Sequence, residues 1–455
     1  MSIYNALKEY ENLQTRFHMP GHGGLDSKDI LKELDSILPF DVTETSLTDN
    51  LYDPKAFIKQ SERKITDFYG TKASVISAGG ATLCINTALM LAGGQGNTIA
   101  VDRRCHKSVY NTMVLLDQKP VYIYPDAEKN SVLNYIDPGK LESLLKEKPN
   151  ISCIIVTSPT YYGIISNIKE ISKVCHKYNS LLVVDNAHGS HLILDKNLHP
   201  LFNGADIVID SLHKTLPALT GAALLHSQRF SSEELKSAMS LFGSSSPSYL
   251  ISMSADLCTD YLISGKATVD FNEVKTYIEE VGQYVESHSK VSVICGGKES
   301  RNNSFYLDPW RLTLDFNMTQ LSAETASDAL LKKGISIEFA DNRYMVLIIP
   351  PKTNRESLKY FGRQLCTILN KLPESPKNKE IPDLRFEQVL SPRAAYFSPI
   401  KKEIPLNESL DRICGKAVIP YPPGIPLISP GEKITREFIE YCKGTIDKIT
   451  IIEEG

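Results

Sequence analysis

The chain of 455 residues is long enough for two or three domains, and its 42% hydrophobic and 23% charged residues are typical of a globular protein. A net charge of −4 gives no bias toward nucleic acid, and no stretch approaches the roughly 18 apolar residues that a membrane span needs. The nine cysteines are scattered and form no Cys-x-x-Cys pair, which argues against a disulfide framework or a structural metal site and predicts free thiols in the cytoplasm.

Residues 1–55 are predicted to form an N-terminal arm rather than a domain. An amphipathic helix from Ile3 to Leu13 leads into a segment, Phe17–Gly24, that is too rich in Gly and Pro for regular structure. The first ten residues lack the basic and apolar regions of a signal peptide. Four carboxylates follow in predicted loops, where ordinary surface charge is the plain interpretation of each: Asp41, Glu44, Asp49 and Asp53.

Residues 56–290 are predicted to form a large α/β domain, because short apolar runs alternate with segments of helical periodicity. This alternation predicts βαβ units around a mostly parallel sheet of seven strands, which binds ligands beyond the carboxyl ends of its strands. The strand candidates are Ala73–Ser77, Thr98–Asp102, Val121–Tyr124, Cys153–Thr157, Leu181–Asp185, Asp206–Asp210 and Ala222–His226.

Residues 291–455 are predicted to form a smaller α+β domain. Trp310–Phe316, Ile335–Phe339 and Met345–Ile349 alternate like antiparallel strands, and Ala323–Lys333 and Arg355–Lys371 are predicted to be helical. Pro373–Pro382 has the composition of a linker, and Tyr421–Pro426 that of a rigid turn.

The first candidate site segment is the glycine turn Ser77–Thr82, which follows a strand and opens a helix. Exposed N–H groups at the start of a helix, here Gly80, Ala81 and Thr82, form a cradle for a phosphate group. The alternative is a tight strand–helix turn without a ligand.

Of two further strand ends, one carries a polar ring and the other a carboxylate. His106 follows a strand within Val101–Ser108 and offers a flat ring for stacking on an aromatic cofactor, although the segment also fits a basic surface loop. Asp185 ends a buried strand and needs a cationic or hydrogen-bonding partner, because an unpaired buried charge is costly. A protonated pyridine nitrogen is one such partner, and a helix cap or a salt bridge is the alternative.

The last segment follows the strand Asp206–Asp210 and places Lys214 beside Ser211 and His213. Lys214 lies 29 residues after Asp185 (214 − 185), an interval that holds one strand and puts both residues on neighbouring strand ends. A lysine in that place is a candidate for imine formation. Together the four segments meet the requirements of pyridoxal 5′-phosphate (PLP).

The sequence resembles the Orn/Lys/Arg decarboxylase family of PLP fold type I (aspartate aminotransferase-like) enzymes. The resemblance rests on motifs throughout the chain, above all Ser211-Leu-His-Lys-Thr-Leu-Pro217 and Pro420-Tyr-Pro-Pro-Gly-Ile-Pro-Leu427; the others are Phe17–His22, Asp41–Glu44, Cys105–Ser108, Thr157–Gly163, Asp185–Gly189 and Ser391–Arg393.

The resemblance implies a cofactor imine on Lys214, Asp185 at the pyridine nitrogen and His106 stacked on the ring. It implies phosphate contacts from Ala81, Thr82, Ser211 and His213, and it includes His188 in the motif that carries Asp185. It also implies a homodimer or a dimer-based oligomer with active sites at the subunit interface, in a compact form without the N-terminal response-regulator-like domain of longer members.

Two departures from the family pattern bear on the activity, and the second also bears on the choice of substrate. The phosphate turn is Gly79-Gly-Ala-Thr82, with fewer hydroxyls than usual, and Lys416 stands where an acid is common. The leading hypothesis is decarboxylation of arginine, lysine or ornithine. The basic side chain of such a substrate would need an acidic patch, for which Asp41, Glu44, Asp49 and Asp53 are candidates if the arm reaches a neighbouring subunit. The alternatives are an aminotransferase or lyase of the same fold, for which Arg393 resembles a carboxylate clamp, and a degenerate PLP-binding regulatory protein.

Overall fold

The fold is described from a computed structural model that covers residues 2–11, 16–24, 32–45, 47–127, 133–296, 304–371, 384–420 and 424–453. The predicted linker Pro373–Pro382 and the first part of the predicted rigid turn, Tyr421–Pro423, lie outside the described residues, as does the predicted end of the first helix at Leu13.

The described residues contain fourteen α-helices. They are α1 (Ile3–Glu11), α2 (Phe57–Tyr69), α3 (Gly80–Gly93), α4 (Lys107–Leu116), α5 (Pro138–Glu147), α6 (Ile168–Lys177), α7 (Leu212–Thr215), α8 (Ser232–Ser240), α9 (Tyr249–Ile263), α10 (Lys266–His288), α11 (Ala323–Leu331), α12 (Arg355–Lys371), α13 (Pro392–Tyr396) and α14 (Arg436–Cys442). None of these described helices combines the length and the apolar composition that a membrane crossing requires.

The same residues contain eighteen β-strands. They are β1 (Ala73–Ser77), β2 (Thr98–Asp102), β3 (Lys119–Ile123), β4 (Asp126–Ala127), β5 (Asn134–Tyr135), β6 (Cys153–Thr157), β7 (Ile164–Ser166), β8 (Leu181–Asp185), β9 (Ile207–Asp210), β10 (Ala223–Ser227), β11 (Ser292–Cys295), β12 (Phe305–Leu307), β13 (Arg311–Asp315), β14 (Phe339–Ala340), β15 (Tyr344–Ile348), β16 (Lys401–Pro405), β17 (Ile413–Cys414) and β18 (Lys448–Ile452).

The largest sheet has seven strands in the order β1-β10-β9-β8-β6-β2-β3. Strand β10 runs antiparallel to both of its neighbours, whereas β8 and β9 pair in parallel, as do β2 and β6 and β2 and β3. The central strands are apolar and buried, which is typical of a parallel sheet that is covered on both faces. The predicted α/β fold with a mostly parallel seven-stranded sheet is confirmed.

The described chain divides into two compact units, which are considered separately. The first comprises Met1–Leu91, Val183–Val274 and Ile349–Thr353. Within it, the buried carboxylate of Asp256 on α9 accepts a hydrogen bond from the Ile3 N–H group at 2.8 Å and pairs with Lys64 Nζ at 2.6 Å. These contacts attach α1 to α2 and α9, so the start of the predicted arm packs against the body of this unit.

The second unit comprises Ala92–Leu182, Lys275–Ile348 and Asn354–Gly455. It contains a four-stranded antiparallel sheet in the order β11-β13-β15-β14 and a three-stranded sheet in the order β16-β18-β17. The latter packs around a small core that includes Leu406, Ile428 and Phe438. These antiparallel sheets agree with the α+β character expected beyond residue 291, and the predicted boundaries at residues 55 and 290 stay predictions.

The predicted strand Ile335–Phe339 is wrong over most of its length, because only Phe339–Ala340 forms a strand. Gly334 adopts a left-handed conformation (φ 76°), and the Ile335 N–H group donates back to Leu330 O at 3.1 Å. Residues 332–335 therefore complete the C-terminal cap of α11 instead of starting a strand.

Candidate active site

Lys214 lies in α7, a helix of four residues that begins directly after β9 and Ser211. Its Nζ atom is 3.0 Å from Nε2 of His188, and both side chains are half-buried. Because a lysine can only donate, the imidazole nitrogen is the acceptor in this contact. The structure thus brings together two of the predicted site residues and leaves the amine partly accessible.

Asp185 is the last residue of β8, which pairs in parallel with β9. Its side chain is 3% exposed and accepts a hydrogen bond from the Ala187 N–H group at 3.1 Å. Burial raises the pKa of Asp185, and the charge of Lys214 opposes that shift. A cation next to this carboxylate therefore stabilises its ionised form.

The predicted phosphate turn is tied to the loop after α7. The Gly80 N–H group donates to Gly221 O at 2.9 Å, and Gly221 N–H donates to His213 Nδ1 at 3.3 Å. Gly80 (φ 67°) and Gly221 (φ 95°) adopt left-handed conformations that favour glycine. Ser211 Oγ lies 3.4 Å from the same His213 nitrogen. This chain of contacts links the start of α3 to Ser211 and His213, and it occupies the Gly80 N–H group that was predicted to be exposed.

A cavity of about 190 Å³ lies beside this turn, lined in part by Tyr52, Gly79, Thr82 and Phe242. Ala81 and Thr82 stand in the first turn of α3, where N–H groups lack partners within the helix. Burial lowers the pKa of His213. The charge of Lys214 lowers this pKa further, whereas the contact with the Ala222 carbonyl raises it. A group bound at the turn therefore meets a neutral imidazole.

His106 lies in the second unit and is the N-cap residue of α4. Its Nδ1 atom accepts a hydrogen bond from the Ser108 N–H group at 3.3 Å and lies 2.8 Å from Ser108 Oγ. Its proposed ring-stacking role stays a prediction.

The segment around His106 was also interpreted as a basic surface loop. This interpretation is wrong for Arg103, which is 6% exposed. Its guanidinium donates to the carbonyls of Pro426 (2.9 Å) and Leu427 (3.0 Å) and pairs with Glu432 at 2.9 Å. The Lys107 N–H group donates to Gly424 O at 3.1 Å. The family motif near residue 424 therefore holds the segment that carries His106, a role that the sequence alone did not indicate.

The four acidic residues of the arm have different surroundings. Asp49 is buried and accepts hydrogen bonds from the N–H groups of Lys55, Ala56 and Ile58, so it caps α2. Asp41 pairs with His22 Nε2 at 3.1 Å, and Asp53 forms an exposed pair with Lys55.

Glu44 is the exception among these four residues. Thr43 Oγ1 donates to its Oε2 at 3.1 Å, whereas its Oε1 is buried without a hydrogen-bond partner among the described residues. Its charge contributes to raising the pKa of Tyr52, after the larger effect of burial. Since Tyr52 lines the cavity beside the phosphate turn, Glu44 acts electrostatically on a residue of that cavity.

Comparison with solved structures identifies the fold as that of PLP fold type I enzymes. The crystal structure of the Francisella novicida lysine decarboxylase matches with a TM-score of 0.83 at 21% identity, covering 99% of this chain and 81% of that one. The sequence model described as "Orn/Lys/Arg decarboxylase, major domain" matches residues 2–357, and "Orn/Lys/Arg decarboxylase, C-terminal domain" matches residues 377–448. The chain belongs to this family of amino acid decarboxylases.

Two relatives from Bacillus subtilis (strain 168) match nearly the whole chain. YaaO, described as an uncharacterized protein, is 30% identical over 471 residues, covering 99% of this chain and 95% of YaaO. An arginine decarboxylase is 26% identical over 462 residues, covering 98% of this chain and 93% of that enzyme.

Proposed function

We propose that this protein is a PLP-dependent decarboxylase that converts arginine, lysine or ornithine into a polyamine-type amine and CO₂. The observation that carries the proposal is that Lys214 Nζ lies 3.0 Å from His188 Nε2. The buried carboxylate of Asp185 lies next to this pair, at the end of the neighbouring strand. Membership of the family and the likeness to an arginine decarboxylase support this activity.

The residues of the first unit fit the parts of PLP. Lys214 offers a partly accessible amine for covalent attachment, and Asp185 offers a buried carboxylate that a cationic ring nitrogen would stabilise as Lys214 does. Ala81 and Thr82 at the start of α3, with Ser211 and His213, would hold the phosphate. His106 is proposed to stack on the ring.

When bound, PLP takes up the electron pair that remains on Cα after the substrate carboxylate leaves as CO₂. Asp185 would hold a proton at the ring nitrogen, which favours this uptake. A proton must then replace the carboxylate on Cα. Lys214 Nζ and His188 Nε2 are within hydrogen-bond distance of one another, so this pair can hold and exchange that proton.

The basic end of the substrate needs an acidic partner. Glu44 is our candidate, because its buried Oε1 lacks a hydrogen-bond partner among the described residues and it acts electrostatically on Tyr52 at the cavity. A cationic side chain bound there would offset the cost of burying the carboxylate. Lys416 is exposed and is not assigned to the substrate.

An aminotransferase is the main enzymatic alternative, and it would need an arginine that is available to a substrate carboxylate. Arg393 instead donates from Nη1 to the carbonyls of Val114 and Leu115, each at 3.0 Å. These contacts favour a role in holding α13 near α4. A regulatory PLP-binding homologue is distinguished by the absence of turnover.

We also propose a homodimer, or an oligomer of dimers, located in the cytoplasm. Large apolar side chains of the arm are exposed in the single chain, among them Phe17 (97%), Met19 (69%) and Leu47 (65%), and contact with a second copy would cover them. All nine cysteines are buried free thiols, which fits a reducing compartment.

The decisive experiment incubates the purified protein and PLP with arginine, lysine and ornithine separately and measures CO₂ and the corresponding amine. One substrate is expected to give both products in equal amounts. Borohydride reduction followed by peptide mapping should locate the cofactor on Lys214. Bound cofactor without product from any of the three amino acids would contradict the decarboxylase proposal and favour the regulatory alternative.

A further inference from the structure

A second carboxylate, Asp210, is buried directly behind the candidate site. It is the last residue of β9, precedes Ser211 and is fully buried. Asn186 Nδ2 donates to its Oδ1 at 2.5 Å, and His199 Nε2 contacts its Oδ2 at 3.2 Å. His226 Nε2 lies 3.3 Å from the same oxygen. Because an isolated buried charge is costly, these partners are what allow the carboxylate to stay ionised.

The two imidazoles have different contacts on their Nδ1 atoms. Ser74 Oγ lies 2.7 Å from His226 Nδ1, and the Leu201 N–H group donates to His199 Nδ1 at 3.4 Å. Because His199 Nδ1 accepts from Leu201, the His199 proton that faces Asp210 Oδ2 at 3.2 Å is on Nε2. Although burial acts to raise it, the pKa of Asp210 is held well below its usual range by His199 and His226. Asp210 is therefore the ionised carboxylate of the cluster.

The groups that face this cluster from neighbouring elements do not neutralise it. The Tyr69 ring from α2 packs on His226 with centroids 4.2 Å apart, and burial raises the pKa of its hydroxyl well above the usual value. Burial likewise raises the pKa of the Cys84 thiol on α3 to about 12, so both groups are neutral at neutral pH. Asp185 interacts with Asp210 by charge repulsion.

The same cluster holds the turn that carries the candidate site. Asn186 directly follows Asp185, and its N–H group donates to Ile209 O at 3.0 Å. Its side chain donates to Gly189 O at 3.0 Å as well as to Asp210. The turn from Asp185 to Gly189, which includes His188, is thereby fixed to the strand end that leads into Lys214.

We propose that Asp210 is a positioning residue of this site. Its carboxylate holds the turn of Asp185 and His188 against the strand end of Lys214, and its buried negative charge favours protonation of a PLP molecule bound beside Asp185. The inference rests on the proposed function, since it concerns the same cofactor. Asp210 acts through its contact with Asn186 and through the electrostatic field of its charge, and it does not touch the reacting atoms.

The test compares Asp210→Asn, which removes the charge with little change in shape, with Asp206→Asn as a matched control. Asp206 is also a buried carboxylate of this segment, but it pairs with Arg229 Nε at 2.6 Å, before the start of β9. Two quantities are measured without turnover: the dissociation constant for PLP, and the pKa of the pH-dependent visible absorbance of the bound cofactor.

Asp210→Asn is expected to raise the dissociation constant about tenfold and to lower the absorbance pKa by about one unit, because removal of a negative charge disfavours the protonated form. Asp206→Asn should leave both quantities unchanged. If Asp210→Asn loses stability while both quantities keep their parental values, Asp210 is structural only and the proposal is overturned. Absence of PLP binding in the parent protein would instead contradict the proposed function.

Asn186→Ala separates position from charge and serves if Asp210→Asn does not fold. This variant removes the connection to the turn but keeps the carboxylate of Asp210. It is expected to raise the dissociation constant for PLP with little change in the absorbance pKa. An unchanged dissociation constant in Asn186→Ala would overturn the positioning role.

Discussion

Two buried charged clusters, one in each unit, hold different parts of the molecule in different ways. In the first unit Asp210 lies among Asn186, His199 and His226, and its contact with Asn186 leads to the residue next to Asp185. In the second unit Arg103 binds Glu432 and backbone carbonyls near the Pro-Gly-Ile-Pro motif. The first cluster borders the proposed chemistry, whereas the second fixes a loop. Loss of the Asp210 carboxylate should therefore affect cofactor binding, whereas loss of Arg103 should affect unfolding.

The largest effect is expected for Lys214→Ala. Loss of the amine removes covalent attachment of the cofactor and the proton exchange with His188, so kcat/KM should fall by about 10³-fold or more, equivalent to about 4 kcal/mol. Steady-state kinetics and borohydride trapping measure the two consequences. The exposed Lys177 provides the control, since Lys177→Ala should retain activity. Trapped cofactor at an unchanged level in Lys214→Ala would contradict the assignment.

The next effect concerns the second unit. Arg103→Met removes the partner of Glu432, whose pKa is raised by burial and lowered by Arg103. An unpaired buried carboxylate should reduce the free energy of unfolding by about 3–5 kcal/mol, as urea unfolding would measure.

Two further variants make the Arg103 experiment specific. Glu432→Gln together with Arg103→Met should recover part of the loss, because no buried charge is then left alone. Arg412→Met, at an exposed position, should change the free energy of unfolding by less than about 0.5 kcal/mol. A loss of less than about 1 kcal/mol in Arg103→Met would show that the cluster does not stabilise this unit.

A smaller effect tests whether the arm contributes to substrate binding in the first unit. Glu44→Gln should raise KM for the basic substrate about tenfold, equivalent to about 1.4 kcal/mol, with little change in kcat, because the lost contact is made in both the ground state and the transition state. Asp53→Asn, at an exposed pair, is the control and should leave KM unchanged. An unchanged KM in Glu44→Gln would exclude Glu44 as the partner of the substrate's basic end.

The sequence predicted the elements that follow local periodicity better than the contacts between distant segments. β1, β2, β6 and β8 have the predicted bounds because each is a short apolar run between polar turns. Asp185 and Lys214 were placed on neighbouring strand ends because one strand separates them in the chain. The partners of Asp210 lie 11 to 24 residues away along the chain and Glu432 lies 329 residues from Arg103, so no local pattern indicated them. A carboxylate at the end of a predicted buried strand was the one available signal for Asp210.

The smallest predicted effect is a pH dependence of stability that is specific to the first cluster. Burial lowers the pKa of His226, with Asp210 opposing, so the folded chain binds a proton there less readily than the unfolded chain does. The free energy of unfolding should therefore fall as the pH decreases below the ordinary histidine pKa of about 6.5. His226→Gln should make this decline shallower, in urea unfolding between about pH 8 and about pH 5.5. The difference between the two proteins at about pH 8, where both states are deprotonated, gives the cost of the lost contacts and serves as the internal reference. If the free energies of unfolding of the two proteins ran parallel over the whole pH range, the fold would not keep His226 neutral. The charge of the Asp210 cluster would then be as independent of pH as that of the Arg103 pair.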